Sequence, residues 1–125
     1  MPKILIVEDN EMNMRLFSDL LKTKKYTVLE CLEGTKALDI VKKEKPDLIL
    51  MDIQMPEISG IEVTGLIRQT PEIAHTRIVA VSAFAMDGDE ERILKAGCDD
   101  YISKPISIPS FFETVEKNMK IALKK

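Results

Sequence analysis

Three short apolar runs constrain the fold most: KILIVE at residues 3–8, LILMD at 48–52 and IVAVSA at 78–83. Two of them are continuous rather than alternating, the pattern of strands buried on both faces. TVLEC at 27–31 and DYIS at 100–103 are weaker strand candidates, expected nearer the sheet edges. The segments between them have helical spacing. After Asn10, a good N-cap residue, Met12, Leu16, Phe17, Leu20 and Leu21 predict one face of a helix ending near Lys24. Ala37, Leu38 and Val41 predict a second helix. Ser59 and Glu62 have capping-box spacing ahead of Val63, Leu66 and Ile67, which predict a third. A fourth is expected from about Asp87 to Ala96, stopped by Gly97; a fifth opens at Pro109 and carries Phe111, Phe112, Val115 and Met119.

Five β-α units of this kind predict an α/β, doubly wound parallel sheet covered by helices on both faces. At 125 residues the chain is expected to be a single domain, residues 1–125, with no room for a second. In such sheets ligands bind beyond the carboxyl ends of the strands, where the strand order reverses. That rule selects Glu8, Asp9, Asp52, Ser82 and Lys104.

Composition excludes several classes. No apolar run approaches the roughly 18 residues that a membrane helix needs, and the short ILIV after Met-Pro-Lys does not suit a secretory signal. A cytoplasmic location is expected. Lys and Arg number 18 against 21 Asp and Glu and are largely scattered, which disfavours direct nucleic-acid binding. Cys31 and Cys98 lack C-x-x-C spacing and read as small buried hydrophobes without a disulfide. The seven methionines read mainly as core filling, His75 as a surface loop residue, and DGDEER at 87–92 as a solvated helix start.

If the first and third strands are neighbours, Glu8, Asp9 and Asp52 converge and repel one another. A Mg²⁺ site would relieve that repulsion, because this ion takes one or two carboxylates, waters and a phosphate. Alternatively, Glu8 and Asp9 simply favour the positive end of the following helix. Ser82 and Lys104, taken singly, read as structure and surface. Together with the carboxylates they complete a set of nucleophile, metal site, hydrogen-bond donor and positive charge that suits phosphoryl transfer.

The elements LIVEDN at 5–10, PDLILMDIQMPEISG at 46–60, VSAFAM at 81–86 and YISKPIS at 101–107, in this order and spacing, resemble the receiver domains of two-component response regulators over residues 3–122. The flanks NEMNMRLFSDLL, MDGDEERI and GCDDYISKPIS further resemble single-domain regulators of bacterial cell-cycle and cell-fate signalling. The resemblance implies a flavodoxin-like sheet of order 2-1-3-4-5 with five helices. It makes Asp52 the phosphoacceptor and places Mg²⁺, for which Mn²⁺ can substitute, at Asp9, Asp52 and the backbone carbonyl of Gln54, with Glu8 acting through water. Ser82 would hydrogen-bond a phosphoryl oxygen and Lys104 neutralise its charge. Tyr101 would be the aromatic that turns inward when Ser82 moves, and Lys104–Pro105 a cis peptide. Gln54 and Phe84 hold positions that tune phosphoryl lifetime. Read from the residues, Phe84, Met86 and Tyr101 either contribute to an exposed partner face near the fourth helix and fifth strand or serve ordinary packing.

The implied partners are a histidine kinase or histidine phosphotransfer protein and a downstream protein target, with no direct nucleic-acid contact, no membrane insertion and no output domain. The implied activity is catalysis of its own phosphorylation and dephosphorylation rather than turnover of a substrate. An aspartyl phosphatase of the haloacid-dehalogenase group fits less well, because such enzymes generally carry a second aspartate two residues after the nucleophile, where this chain has Gln54. A nucleotide or flavin carrier would need a phosphate-cradling loop after the first strand. The loop here is Glu8-Asp9-Asn10, whose charge repels phosphate.

Overall fold

The computed structural model describes residues 2–83 and 89–124. The expectations attached to Phe84, Met86 and Asp87 therefore lie outside the described residues. Five parallel strands, β1 (Lys3–Val7), β2 (Thr27–Cys31), β3 (Leu48–Asp52), β4 (Arg77–Ser82) and β5 (Asp100–Ser103), form one sheet in the order β2-β1-β3-β4-β5. They alternate with α1 (Glu11–Thr23), α2 (Ala37–Glu44), α3 (Gly60–Arg68), α4 (Asp89–Lys95) and α5 (Ile108–Leu123), and a 3-10 turn at Gly34–Lys36 precedes α2. This is the flavodoxin-like architecture expected, with the two weakest strand patterns at the sheet edges.

Successive strand residues point to opposite faces, and the core divides accordingly. Leu5, Val7, Ile49, Met51, Ile78 and Ala80 pack with Val41, Val63, Ile67 and Ile93 from α2, α3 and α4. Ile4, Ile6, Leu48, Leu50, Val79, Val81 and Ile102 pack with Phe17 and Leu21 of α1 and Phe111, Val115 and Met119 of α5. Phe17 and Phe111 stack with ring centroids 5.5 Å apart, which joins the two helices over the second face.

Local signals set the helix starts. The Asn10 side chain accepts from Asn13 N at 2.9 Å, and Ser59 Oγ accepts from Glu62 N at 3.2 Å. Gly97, with φ +115°, follows α4, and Pro109 stands in the first turn of α5. Cys31 and Cys98 are buried and free, as expected.

The structure corrects two helix faces. In α1 the buried stripe is Met14, Phe17, Ser18 and Leu21, while Met12 is 82% and Leu16 41% exposed. The apolar residues of this helix outnumber the positions that its contact with the sheet can cover, so spacing alone chose the wrong members. In α3, Leu66 is likewise on the outer side, and Thr64 is buried in its stead against Cys98 Sγ at 3.6 Å.

Two substitutions, one at a buried site of α5 and one on the outer side of α3, test these assignments. Phe111→Ala should lower unfolding free energy by about 3–5 kcal/mol because it empties a fully buried, stacked site, whereas Leu66→Ala should stay within about 0.5 kcal/mol. Urea denaturation of both variants measures the contrast, and equal losses would contradict the assigned faces.

Candidate functional site

The register of the sheet assembles the site. Val7 lies opposite Met51, so the next pair outward is Glu8 beside Asp52. Both residues continue the parity of Ile6 and Leu50 and therefore emerge on the α1–α5 face. Lys104 continues the parity of Ile102 on that same face. Ser82 ends β4 in register with Ser103 and continues the parity of Ala80, toward the opposite helices. Its carbonyl accepts from Lys104 N at 2.8 Å, which ties the end of β5 to the end of β4.

Distances confirm the convergence of Glu8, Asp9, Asp52 and Lys104. Glu8 and Asp52 are 1% and 2% exposed, and Lys104 Nζ lies 3.4 Å from both Glu8 Oε1 and Asp52 Oδ1. Asp9 is exposed at the mouth, and one carboxylate oxygen from each of Glu8, Asp9 and Asp52 falls within 4.8 Å of the others. Burial, followed by the hydrogen bond shared with Asp52, raises the Glu8 pKa to about 7. Two buried carboxylates with one ammonium between them lack a full positive charge, and an all-oxygen donor set of this kind suits a hard divalent cation. The residues fit Mg²⁺: Glu8, Asp9 and Asp52 could hold it.

The backbone after Asp52 is fixed by close packing. Gly60 N donates to Ile53 O at 3.0 Å, and a Cβ at Gly60 would collide with the carbonyl oxygen of Asp52. Glycine at the first position of α3 thus lets that helix sit directly on the end of β3. Gln54 N donates to Asp52 Oδ1 at 3.1 Å, and Gln54 Oε1 accepts from Ala83 N at 3.1 Å. The side chain therefore bridges the loops that follow β3 and β4. The Lys104–Pro105 peptide is cis.

Tyr101 is half-exposed and packs at the margin of the α2–α4 core. A hydrogen bond to Glu90 of α4 is the main cause of its raised pKa, ahead of burial. That partnership was not legible in the sequence, because it depends on the rotation of α4 over β5. His75 is exposed beside the start of β4, at the opposite end of the sheet from the carboxylates.

A family model described as the response regulator receiver domain matches residues 4–116. The chain belongs to the response regulator receiver family. It is 54% identical over 117 residues to the polar-differentiation response regulator DivK of Brucella anthropi, covering 93% of this chain and 95% of that one. Identity to the DivK of Brucella ovis is 53% over 113 residues, covering 90% of this chain and 92% of the relative.

Among solved structures, a receiver domain of a sensor histidine kinase from Pseudomonas aeruginosa is 30% identical, with a TM-score of 0.87 and coverage of 95% and 98%. That structure holds a magnesium ion in its active-site cleft. The receiver domain of the Francisella response regulator 1452 is 25% identical, with a TM-score of 0.89 and coverage of 96% and 98%. Receiver domains serve as phosphoacceptors in signalling and bind Mg²⁺ in an acidic pocket. No helix among the described residues is long and apolar enough to cross a membrane.

The raised Glu8 pKa gives a signed expectation for the metal-free protein. The folded state holds a proton on Glu8 more tightly than the unfolded chain does, so this group's stabilising contribution is full below about pH 4.5 and is lost as pH rises through about 7. With chelator present, wild type should lose on the order of 1–3 kcal/mol relative to Glu8→Gln between pH 5 and 8. Urea titrations at both pH values measure this, and parallel behaviour of the two proteins would contradict the shift.

Proposed function

We propose that this protein is a stand-alone response regulator that accepts a phosphoryl group on Asp52 from a phosphohistidine of a histidine kinase or phosphotransfer protein. The observation that carries the reading is the Glu8–Asp9–Asp52 cluster with Lys104 Nζ 3.4 Å from two of its carboxylates. An Asp52 carboxylate oxygen attacks phosphorus in line, the new O–P bond forms as the P–N bond breaks, and the imidazole leaves with the electron pair. Catalysis of this kind is mainly positioning and charge stabilisation. The rigid end of β3, locked by Gly60 and the Gln54 amide, supplies the first. Lys104 supplies part of the second by neutralising a phosphoryl oxygen, and the Ser82 hydroxyl donates to another. Mg²⁺, or Mn²⁺ in its place, would supply the remaining positive charge, and Asp9, Asp52 and the Gln54 carbonyl would hold it, with Glu8 acting through water. Attack of water on phosphorus breaks the acyl O–P bond, releases inorganic phosphate and returns the Asp52 carboxylate, and the proposal includes catalysis of this step by the domain itself.

Phosphorylation adds charge at Asp52 and draws Ser82 toward it. Tyr101 follows inward, and the surface changes around α4 and β5. Coverage of nearly the whole of the DivK relatives supports reading the chain as a receiver domain like theirs, and the output proposed for it is protein contact. The polar-differentiation role in those relatives' name supports a part in cell-cycle or cell-fate control; a cytoplasmic location and recruitment to cell poles by partner proteins belong to the same proposal.

Acetyl phosphate with and without Mg²⁺, read by intact mass, tests the reading. One Mg²⁺-dependent phosphoryl adduct is expected in wild type and none in Asp52→Asn, with both proteins folded by circular dichroism. Lys104→Ala is expected to take the adduct without the amide chemical-shift changes around Tyr101. Efficient modification of the Asp52→Asn protein would contradict the assignment.

A further inference from the structure

Beside the carboxylate cluster lies a small cavity of about 90 Å³ between the loop after β2 and the loop after β3. Its walls are Leu32, Met55, Pro56 and Ile58, and Asp9, Glu33 and Glu57 stand at its rim. Leu32 is 42% exposed, and the three rim carboxylates are exposed as well. Space for the cavity depends on Gly34: a Cβ there would lie 2.8 Å from Ile58 Cγ2 and 2.9 Å from Met55 Cε. The volume is far below the roughly 300–1,000 Å³ of a small-molecule site. It corresponds to about three waters, the room taken by one apolar side chain.

The rim states what that side chain must be attached to. Glu33 and Glu57 are exposed beside the apolar lining, and Asp9 is shared with the cation cluster. The one cation paired with them among the described residues is Lys36, 3.6 Å from Glu33, and both members of that pair are exposed. An exposed pair of this kind contributes little and is readily exchanged. A segment bringing an aliphatic or aromatic residue flanked by Lys or Arg would fill the cavity and complement the rim. An acidic segment would be repelled.

We propose that this cavity is a docking site for one apolar side chain of the phosphodonor protein, presented on a basic segment. The choice of donor rests on the phosphoacceptor reading, since Asp9 belongs both to the cavity rim and to the cation cluster. A donor anchored here is held next to the cleft that its phosphohistidine must enter. Buried anchors of this type carry much of the affinity of an interface, while the surrounding charges govern encounter and partner choice.

The test uses three acetylated, amidated pentapeptides, Lys-Arg-Phe-Arg-Lys, Lys-Arg-Ala-Arg-Lys and Glu-Asp-Phe-Asp-Glu, titrated into the Mg²⁺-loaded protein and followed by amide chemical shifts. Saturable shifts at Leu32, Gly34 and Ile58 are expected with the first peptide. Binding should be at least tenfold weaker for the other two and for the double variant Glu33→Lys/Glu57→Lys. That variant should still gain one phosphoryl group from acetyl phosphate. Absence of shifts at the cavity, equal shifts with all three peptides, or indifference to charge reversal would overturn the proposal. Failure of wild type to take the acetyl phosphate adduct would sink the phosphoacceptor reading, and the donor as occupant with it, whatever the peptides do.

Discussion

Two carboxylates lie side by side at the buried ends of β1 and β3, and the ammonium of Lys104 sits between them. Glu8 and Asp52 are each almost fully excluded from solvent, where an unpaired charge costs several kcal/mol. Lys104 approaches both at 3.4 Å, yet one positive charge cannot satisfy two negative ones. Burial first, then the hydrogen bond shared with Asp52, raises the Glu8 pKa to about 7, and the nearby Lys104 only partly offsets this. A site left short of positive charge in this way favours a divalent cation and, with it, an anionic phosphoryl group. Strain that would be a defect in an ordinary core is here the basis of the proposed chemistry.

The rest of the fold maintains this arrangement. The parallel register of β1 against β3 puts Glu8 level with Asp52, and the alternation of side chains puts both, with Lys104, on the α1–α5 face. The stacked Phe17 and Phe111 close that face below the site. Gly60 allows α3 to start against the Asp52 carbonyl, and Gln54 links the loop after β3 to the one after β4. The nucleophile therefore stands on a strand that is buried along its whole length. The groups that approach it come from loops, a rigid support with adaptable surroundings.

Much of this was legible in the sequence, for identifiable reasons. The runs LILMD, TVLEC and DYIS coincide with β3, β2 and β5, because apolar runs bounded by polar turns leave little freedom in register. The strand-end rule selects Glu8, Asp9, Asp52, Ser82 and Lys104 from the sequence alone, and the structure brings the first three and Lys104 together while Ser82 ends β4. Helix faces were less legible. α1 carries more apolar residues than the sheet can cover, so Met12 and Leu16 were placed inward and stand outward. The Tyr101–Glu90 contact, the Gln54 bridge and the cavity under Gly34 had no sequence signal, since each depends on how two separate loops or elements meet.

The most direct measurement is a crystal structure of the protein with Mg²⁺ and beryllofluoride, a mimic of the phosphoryl group. The account predicts beryllium bonded to an Asp52 oxygen and one Mg²⁺ at about 2.0–2.1 Å from carboxylate oxygens of Asp9 and Asp52. Lys104 and Ser82 should contact fluorine atoms, with Tyr101 turned inward and away from Glu90. Beryllofluoride on another residue, or a metal that leaves Asp9 and Asp52 unligated, would contradict it.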